Sequence, residues 1–237
     1  MNRLKVLGSS SKGNCYLLLL GNETLIIEAG ITYKEILKGL DFEIGNVVGC
    51  LVTHEHKDHS KAVKDLIENG IDVYSSEGTF KELKVKSYRA KVIKAMKWQR
   101  IGNFNILPFQ VKHDAKEPLG FLIKHQDIGG LLFITDTCYC EYVFKNVNHI
   151  LVECNFIKEI LDENSITNSL RNRIVETHFE LGNVAAFLEA SDLSKVKNIM
   201  LLHMSNENSD RKIIREKIEG VSGLPITFAD KNVEIQF

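Results

Sequence analysis

The sequence predicts an α/β fold, and three observations predict it. Short apolar runs of strand length recur along the 237 residues, and several close on a histidine or a carboxylate. Segments with helical spacing lie among them. Hydrophobic content of 44% and charged content of 26% are those of an ordinary globular chain, long enough for one large domain or two small ones. Chemistry-bearing residues at strand ends are what an α/β scaffold offers.

Residues 3–7 and 15–20 read as a first pair of strands. Between them lies Gly8-Ser9-Ser10-Ser11-Lys12-Gly13-Asn14. Such a loop is either a plain hairpin connection or a place where backbone approaches a ligand and only Gly and Ser leave room. Residues 25–30 are the next strand and turn, and 32–40 a helix. Residues 47–52 form a short apolar stretch that reads as a buried strand. In residues 60–70, Ala62, Val63, Leu66 and Ile67 have helical spacing and Gly70 is a stop. Residues 104–113 read as a strand ending in His113. Residues 120–123 and 130–136 follow, the second ending in Asp136. Residues 150–153 end in Glu153, and 198–203 end in His203. A helix is expected over 209–219. No Pro/Ser-rich linker and no repeat interrupts the chain.

The densest chemistry is Thr53-His54-Glu55-His56-Lys57-Asp58-His59. His54, His56, Asp58 and His59 are all metal-competent, and imidazole with carboxylate suits zinc or a related transition ion. The strand before and the helix after place them on a tight loop, where two pairs of side chains can be aimed at two adjacent ions. One histidine after one strand is usually structural. Several strands ending this way, in a chain that already holds His54–His59, are accounted for together by one site.

Charge and cysteines bound the setting. A net charge of −1 exerts no global pull on nucleic acid or membranes, so any attraction is local. No apolar run is long enough to span a bilayer, and residues 1–8 lack the core of a signal peptide. Five cysteines without a CxxC point to a reducing cytoplasm. Cys15, Cys50 and Cys154 sit in apolar runs as buried thiols; Cys138 and Cys140 are too close for a relaxed disulfide. No obligate protein partner is evident. Between Phe80 and Arg100 the charge becomes one-sided, with Lys81, Lys84, Lys86, Arg89, Lys91, Lys94, Lys97 and Arg100 against Glu82 alone. This is either a solvated face of strands or a phosphate-tracking surface on which Tyr88 and Trp98 can stack bases. Lys84, Lys86 and Lys91 are its candidate substrate contacts.

The motif His54/His56/Asp58/His59, followed in order by His113, Asp136 and His203, resembles the HxHxDH signature and later ligands of the metallo-β-lactamase superfamily. The resemblance covers essentially the whole chain. It implies an αββα four-layer sandwich, with two mixed sheets face to face and helices outside. It also implies two divalent ions, zinc or manganese. His54, His56 and His113 would hold one, Asp58, His59 and His203 the other, and Asp136 would bridge them. The stretches 8–15, His113-Asp114-Ala115 with 118–121, Thr135-Asp136-Thr137 and Glu153-Cys154-Asn155 look like the small bacterial and phage nucleases of the YycJ (WalJ) type. In that wider group a Glu like Glu153 and a His like His178 form an accessory acid–base pair. Between Asp136 and His203 lie about 65 residues, too few for a further domain on the order of 100 residues. Residues 1–237 are therefore expected to form one domain without an inserted β-CASP domain. Two departures stand out. Glu28 occupies the strand-end position where the superfamily usually has Asp, and 178–183, His-Phe-Glu-Leu-Gly-Asn, replaces a shorter His-Leu-Ser-Asn. That leaves His178 either functional or a surface or helix-entry histidine.

The implied chemistry is phosphodiester hydrolysis of DNA or RNA. Two cations about 3.5–4 Å apart present a metal-bound hydroxide at neutral pH, oriented by Asp58 or Asp136. His178, polarised by Glu153, protonates the leaving oxygen. Ser205 and Asn206, with Asn208, can hydrogen-bond a phosphate, although polar residues opening a helix look the same. Two other readings stay open at this point: hydrolysis of a carboxyl ester, thioester or lactone by the same metals, and a non-catalytic metal-binding module.

Overall fold

The computed structural model describes residues Asn2–Phe237. In chain order the elements are β1 (Arg3–Gly8), β2 (Cys15–Leu20), β3 (Glu23–Ile27), α1 (Tyr33–Gly39), β4 (Val47–Leu51), α2 (Lys57–Ser60), α3 (Val63–Glu68), β5 (Val73–Ser75), α4 (Glu77–Glu82), β6 (Ala90–Val92), β7 (Gln99–Ile101), β8 (Phe104–Gln110) and β9 (Leu119–His125). They continue with β10 (Gly129–Ile134), β11 (His149–Glu153), α5 (Lys158–Glu163), α6 (Asn168–Thr177), α7 (Leu181–Ala190), β12 (Asn198–Leu202), α8 (Arg211–Ser222), β13 (Ile226–Phe228) and β14 (Glu234–Gln236). The chain forms two compact units. The first holds the residues up to Gln110, Ala115–Ile128 and Ala229–Phe237; the second holds Val111–Asp114 and Gly129–Phe228.

The first unit contains a seven-stranded sheet in the order β14-β1-β2-β3-β4-β5-β6. From β3 to β6 its strands are parallel, and from β14 to β3 they are antiparallel. This unit also holds the antiparallel run β7-β8-β9. Its core gathers Leu17, Ile26, Ile36, Cys50, Val52, Leu66 and Val73. Each such Leu, Ile or Val contributes roughly 1.5–3 kcal/mol on burial. Cys15, Cys50 and Cys154 are buried as expected, and burial pushes their thiols up. Helix α1 starts on a capping box, in which Thr32 and Glu35 satisfy each other's backbone N–H.

The helical pattern over 60–70 is α3, with Asn69 as its C-cap and Gly70 at φ 90° beyond it, and a separate turn, α2, precedes it. Asp58 and His59 therefore sit in a helical turn, not in the loop itself.

The second unit contains β10-β11-β12-β13, all parallel. One row reads Ile134, Val152, Leu201, Phe228. The residues just past it, Asp136, Glu153 and His203, are therefore delivered to one rim by register alone. Helix α6 has no counterpart in the sequence pattern. Among its residues only Thr177 is buried, so it shows no apolar stripe to read; Thr167 caps it by accepting from the Leu170 N–H at 3.3 Å. Helix α7 starts at Leu181, because Glu180 is its N-cap and accepts from the Asn183 N–H. Among the described residues no helix is long and apolar enough to cross a membrane.

Candidate active site

In the first unit, β4 carries the chain to Thr53 and His54, both buried. The following loop turns into α2, fixed by Ser60 Oγ donating to the carbonyls of Glu55 at 2.7 Å and His56 at 3.0 Å. The turn brings the motif's side chains together. The ring centroid of His54 lies 4.7 Å from that of His56 and 4.2 Å from that of His59. Asp58 Oδ2 lies 3.4 Å from His59 Nε2.

Glu28 supports this turn from the end of β3. It is fully buried and left-handed at φ 67°. One carboxylate oxygen is 3.5 Å from His59 Nδ1, and the other accepts from the Thr53 N–H at 3.4 Å. The longer arm of Glu therefore reaches where Asp is usual. Burial pushes the Glu28 carboxyl up, opposed by the His59 charge.

The small-residue loop 8–14 packs on the same turn. The Asn14 N–H donates to the Asp58 carbonyl at 2.8 Å. Buried Asn14 also places Nδ2 3.1 Å from that carbonyl and 3.1 Å from His59 Nε2. Facing it, a Cβ on Gly30 would fall 1.6 Å from the Asp58 oxygen. The glycine is needed for backbone-on-backbone packing beneath the motif. Nothing in the loop's sequence singles out Asn14.

In the second unit, Asp136 and His203 follow β10 and β12 with left-handed backbones, at φ 41° and 48°. That conformation is costly for non-glycine residues and is retained where a site needs it. Glu153, fully buried, is the hub. Its Oε2 accepts from the N–H groups of Thr137 at 3.1 Å and Phe179 at 3.0 Å. Its Oε1 lies 2.7 Å from His178 Nδ1 and 3.1 Å from His203 Nδ1. Metal-competent atoms of Asp136, Glu153, His178 and His203 all fall within 4.8 Å of one another. Burial alone would raise the Glu153 carboxyl, but the His178 charge and these hydrogen bonds hold it below the usual carboxylate range. Burial likewise disfavours His178 protonation, and the Glu153 carboxylate reverses that, so His178 titrates above an ordinary histidine.

His113 tests whether these donors fit a metal. Its Nδ1 is 2.8 Å from the Thr177 carbonyl, which can only accept. The proton is therefore on Nδ1, and Nε2 keeps its lone pair. Two carboxylates face that lone pair, Asp114 at 3.2 Å and Asp136 at 3.6 Å. So electron-rich a grouping is favourable only around a cation, and burial lowers the tendency of His113 itself to be that cation. A carbonyl or carboxylate on the Nδ1–H of a ligating histidine is the usual arrangement around zinc. His113 and His203 each have one, from Thr177 and Glu153, and the Glu28 carboxylate lies 3.5 Å from His59 Nδ1. The donor set fits a divalent transition ion. The last residue of α6, Thr177, and the two residues that follow it, His178 and Phe179, supply much of this wiring. Arg173 adds an ion pair to Asp114 at 2.8 Å.

The lysine candidates for substrate contact lie elsewhere. Lys84 and Lys86 precede β6, at the end of the parallel strands opposite the His54 loop. Lys91, within β6, is 3.6 Å from Asp72. Ser205 Oγ is engaged in the turn before α8, accepting from the N–H groups of Glu207 and Asn208. Asn206 is exposed.

A family model described as a beta-lactamase superfamily domain matches residues 38–204. The chain is 29% identical over 231 residues to Exodeoxyribonuclease YycJ of Bacillus anthracis, covering 91% of this chain and 87% of that protein. It is 28% identical over 228 residues to Exodeoxyribonuclease WalJ of Streptococcus pneumoniae, covering 89% and 84%. The crystal structure of the metallo-beta-lactamase fold protein YhfI from Bacillus subtilis aligns with a TM-score of 0.73 over 100% of both chains, at 12% identity. The metallo-β-lactamase fold class expected from the motif is thereby borne out.

Proposed function

This chain belongs to the beta-lactamase superfamily, and from that premise we propose that it is a metal-dependent exonuclease acting on DNA. The ions are zinc or manganese, one held by His54, His56 and His113, the other by Asp58, His59 and His203, with Asp136 shared. Residues 1–237 act as one metallo-β-lactamase-fold domain without an inserted domain. Relatives named exodeoxyribonucleases support DNA and an exonucleolytic mode. Five free thiols suit a cytoplasmic location.

The observation that carries the reading is the 2.7 Å contact between His178 and Glu153. Bound divalent ions supply Lewis acidity toward phosphoryl oxygens and make water acidic enough to attack at neutral pH. The residues of the chain do the rest. Asp58 orients the attacking water. Glu153 takes the Nδ1 proton of His178 in a hydrogen bond, which leaves Nε2 as the atom that donates to the departing sugar oxygen. The raised pKa of His178 keeps that proton available. A sugar alkoxide is a poor leaving group and needs such a donor. An activated ester or lactone does not, and no observation favours that alternative. Exposed Asn206, beside the helix entry, is the proposed phosphate contact there.

Oligodeoxynucleotides labelled at either end, incubated with Zn²⁺ or Mn²⁺, test the proposal. Progressive shortening from one end is expected, with circular single strands left intact. Turnover of a thioester or lactone with no shortening of DNA would overturn it.

A further inference from the structure

The first unit has a groove of about 690 Å³ bordered by Lys64 and Glu68 of α3, by Gly70, and by Lys84, Lys86, Tyr88 and Arg89 ahead of β6. One wall is electronegative, because the C-terminal carbonyls of α3 and Glu68 are there. The other is cationic, with Lys84 and Lys86 exposed and Arg89 tied to Asp72 at 2.8 Å; Lys64, at the start of α3, is exposed as well. Tyr88 is 77% exposed, so its ring is reachable from the groove. The Arg89 guanidinium lies 5.0 Å and Lys91 Nζ 5.9 Å from its ring centroid. These cations lie against the ring, and its edge and remaining surface stand in solvent.

The position of the groove follows from strand direction. Cys50, Val73 and Ala90 share a row across β4, β5 and β6. His54 lies beyond that row and Tyr88 lies before it. At ~3.3 Å per residue, about 20 Å separates them along the strands. The groove is therefore not part of the rim that carries the motif.

We infer that this groove binds a single-stranded segment of nucleic acid, away from the bond being cut. Lysines track its phosphates, and Tyr88 stacks on a base. The pairing of clustered cations with an exposed aromatic matches a strand that alternates phosphate and base, more closely than it matches a compact anion or a lipid surface. The inference rests on the nuclease reading for the source of the strand, but not for the binding itself.

The test uses the full chain, stripped of metal with EDTA so that nothing is cut. Anisotropy of a fluorescent 20-nucleotide oligo(dT) reports binding. The Lys64→Glu/Lys84→Glu/Lys86→Glu variant is expected to bind at least tenfold more weakly. Its dependence of log K on log salt is expected to be shallower by about 2, since each lost phosphate contact removes about 0.7 for a single strand. Tyr88→Ala is expected to lose about tenfold with the salt slope kept. A control of equal charge change, Lys34→Glu/Lys212→Glu/Lys217→Glu, is expected to bind within twofold of wild type, and circular dichroism melts check that every variant is folded. The inference is overturned if the folded groove variant binds within twofold of wild type. It is also overturned if the control loses as much, or if only binding to anionic vesicles falls. Tight binding by wild type with no cutting after metal is restored would sink the nuclease reading and leave the groove standing.

Discussion

His178 Nδ1 lies 2.7 Å from Glu153 Oε1, and the same oxygen is 3.1 Å from His203 Nδ1. One buried carboxylate thus orients both the proposed proton donor and a proposed metal ligand. The sequence motif pairs Glu153 with His178 alone. The structure gives Glu153 two tasks, and the expected effects of mutation separate accordingly.

His178→Ala removes the donor and leaves the proposed ligands. General acid catalysis typically contributes 10²–10⁴-fold. The variant is expected to lose about that much in cleaving an oligonucleotide, and far less on bis-p-nitrophenyl phosphate, whose nitrophenolate departs unaided. Metal analysis is expected to match wild type. A fall in metal content would make His178 a ligand.

Glu153→Gln acts more widely. The carboxylate is fully buried and accepts from Thr137, Phe179, His178 and His203. An amide NH₂ in its place faces donors instead of acceptors. An unsatisfied buried polar group costs about 1–3 kcal/mol. A lower melting temperature and weaker metal retention are both expected, neither of which His178→Ala shows. An unchanged melt with full metal content would refute the dual role.

Asp136→Asn keeps the volume and the left-handed backbone that Asn tolerates, but removes the charge shared between the proposed ions. Metal per chain after loading with Zn²⁺ or Mn²⁺ is expected to fall, and cleavage to vanish, while the circular dichroism spectrum is kept. EDTA is expected to lower the melting temperature of wild type more than that of this variant. Equal metal content in the two proteins would exclude the assignment.

Gly30→Ala tests the packing beneath the motif. Its Cβ would fall 1.6 Å from the Asp58 carbonyl oxygen, so the turn holding Asp58 and His59 has to move. Overpacking of this kind costs about 1–3 kcal/mol or more. Urea denaturation is expected to show that loss together with weaker metal binding. Gly45→Ala meets nothing within 4 Å and is expected to change neither. Equal stability of the two variants would show that the turn yields easily.

Local signals determined much of this protein. His54, His56, Asp58 and His59 are legible because four metal-competent side chains rarely fall within six residues unless they serve a metal site. Asp136, Glu153 and His203 are legible because each closes an apolar run of strand length, and parallel pairing in register then sets all three on one rim. What the tertiary structure decided lies between distant segments. Asn14 beneath His59, the Thr177 carbonyl on His113 and the Phe179 N–H on Glu153 are backbone or amide contacts, and these leave no periodicity or charge pattern in a sequence. Helix α6, which supplies one of them and leads directly into another, is solvated along almost its whole length and has no apolar stripe to announce it. The basic run from Lys81 to Arg100 was legible as charge but not as place. Lys84 and Lys86 lie at the opposite end of the parallel strands from His54, because a segment that leads into a parallel strand lies at the opposite end from one that leaves it, and only the sheet's pairing fixes which end that is.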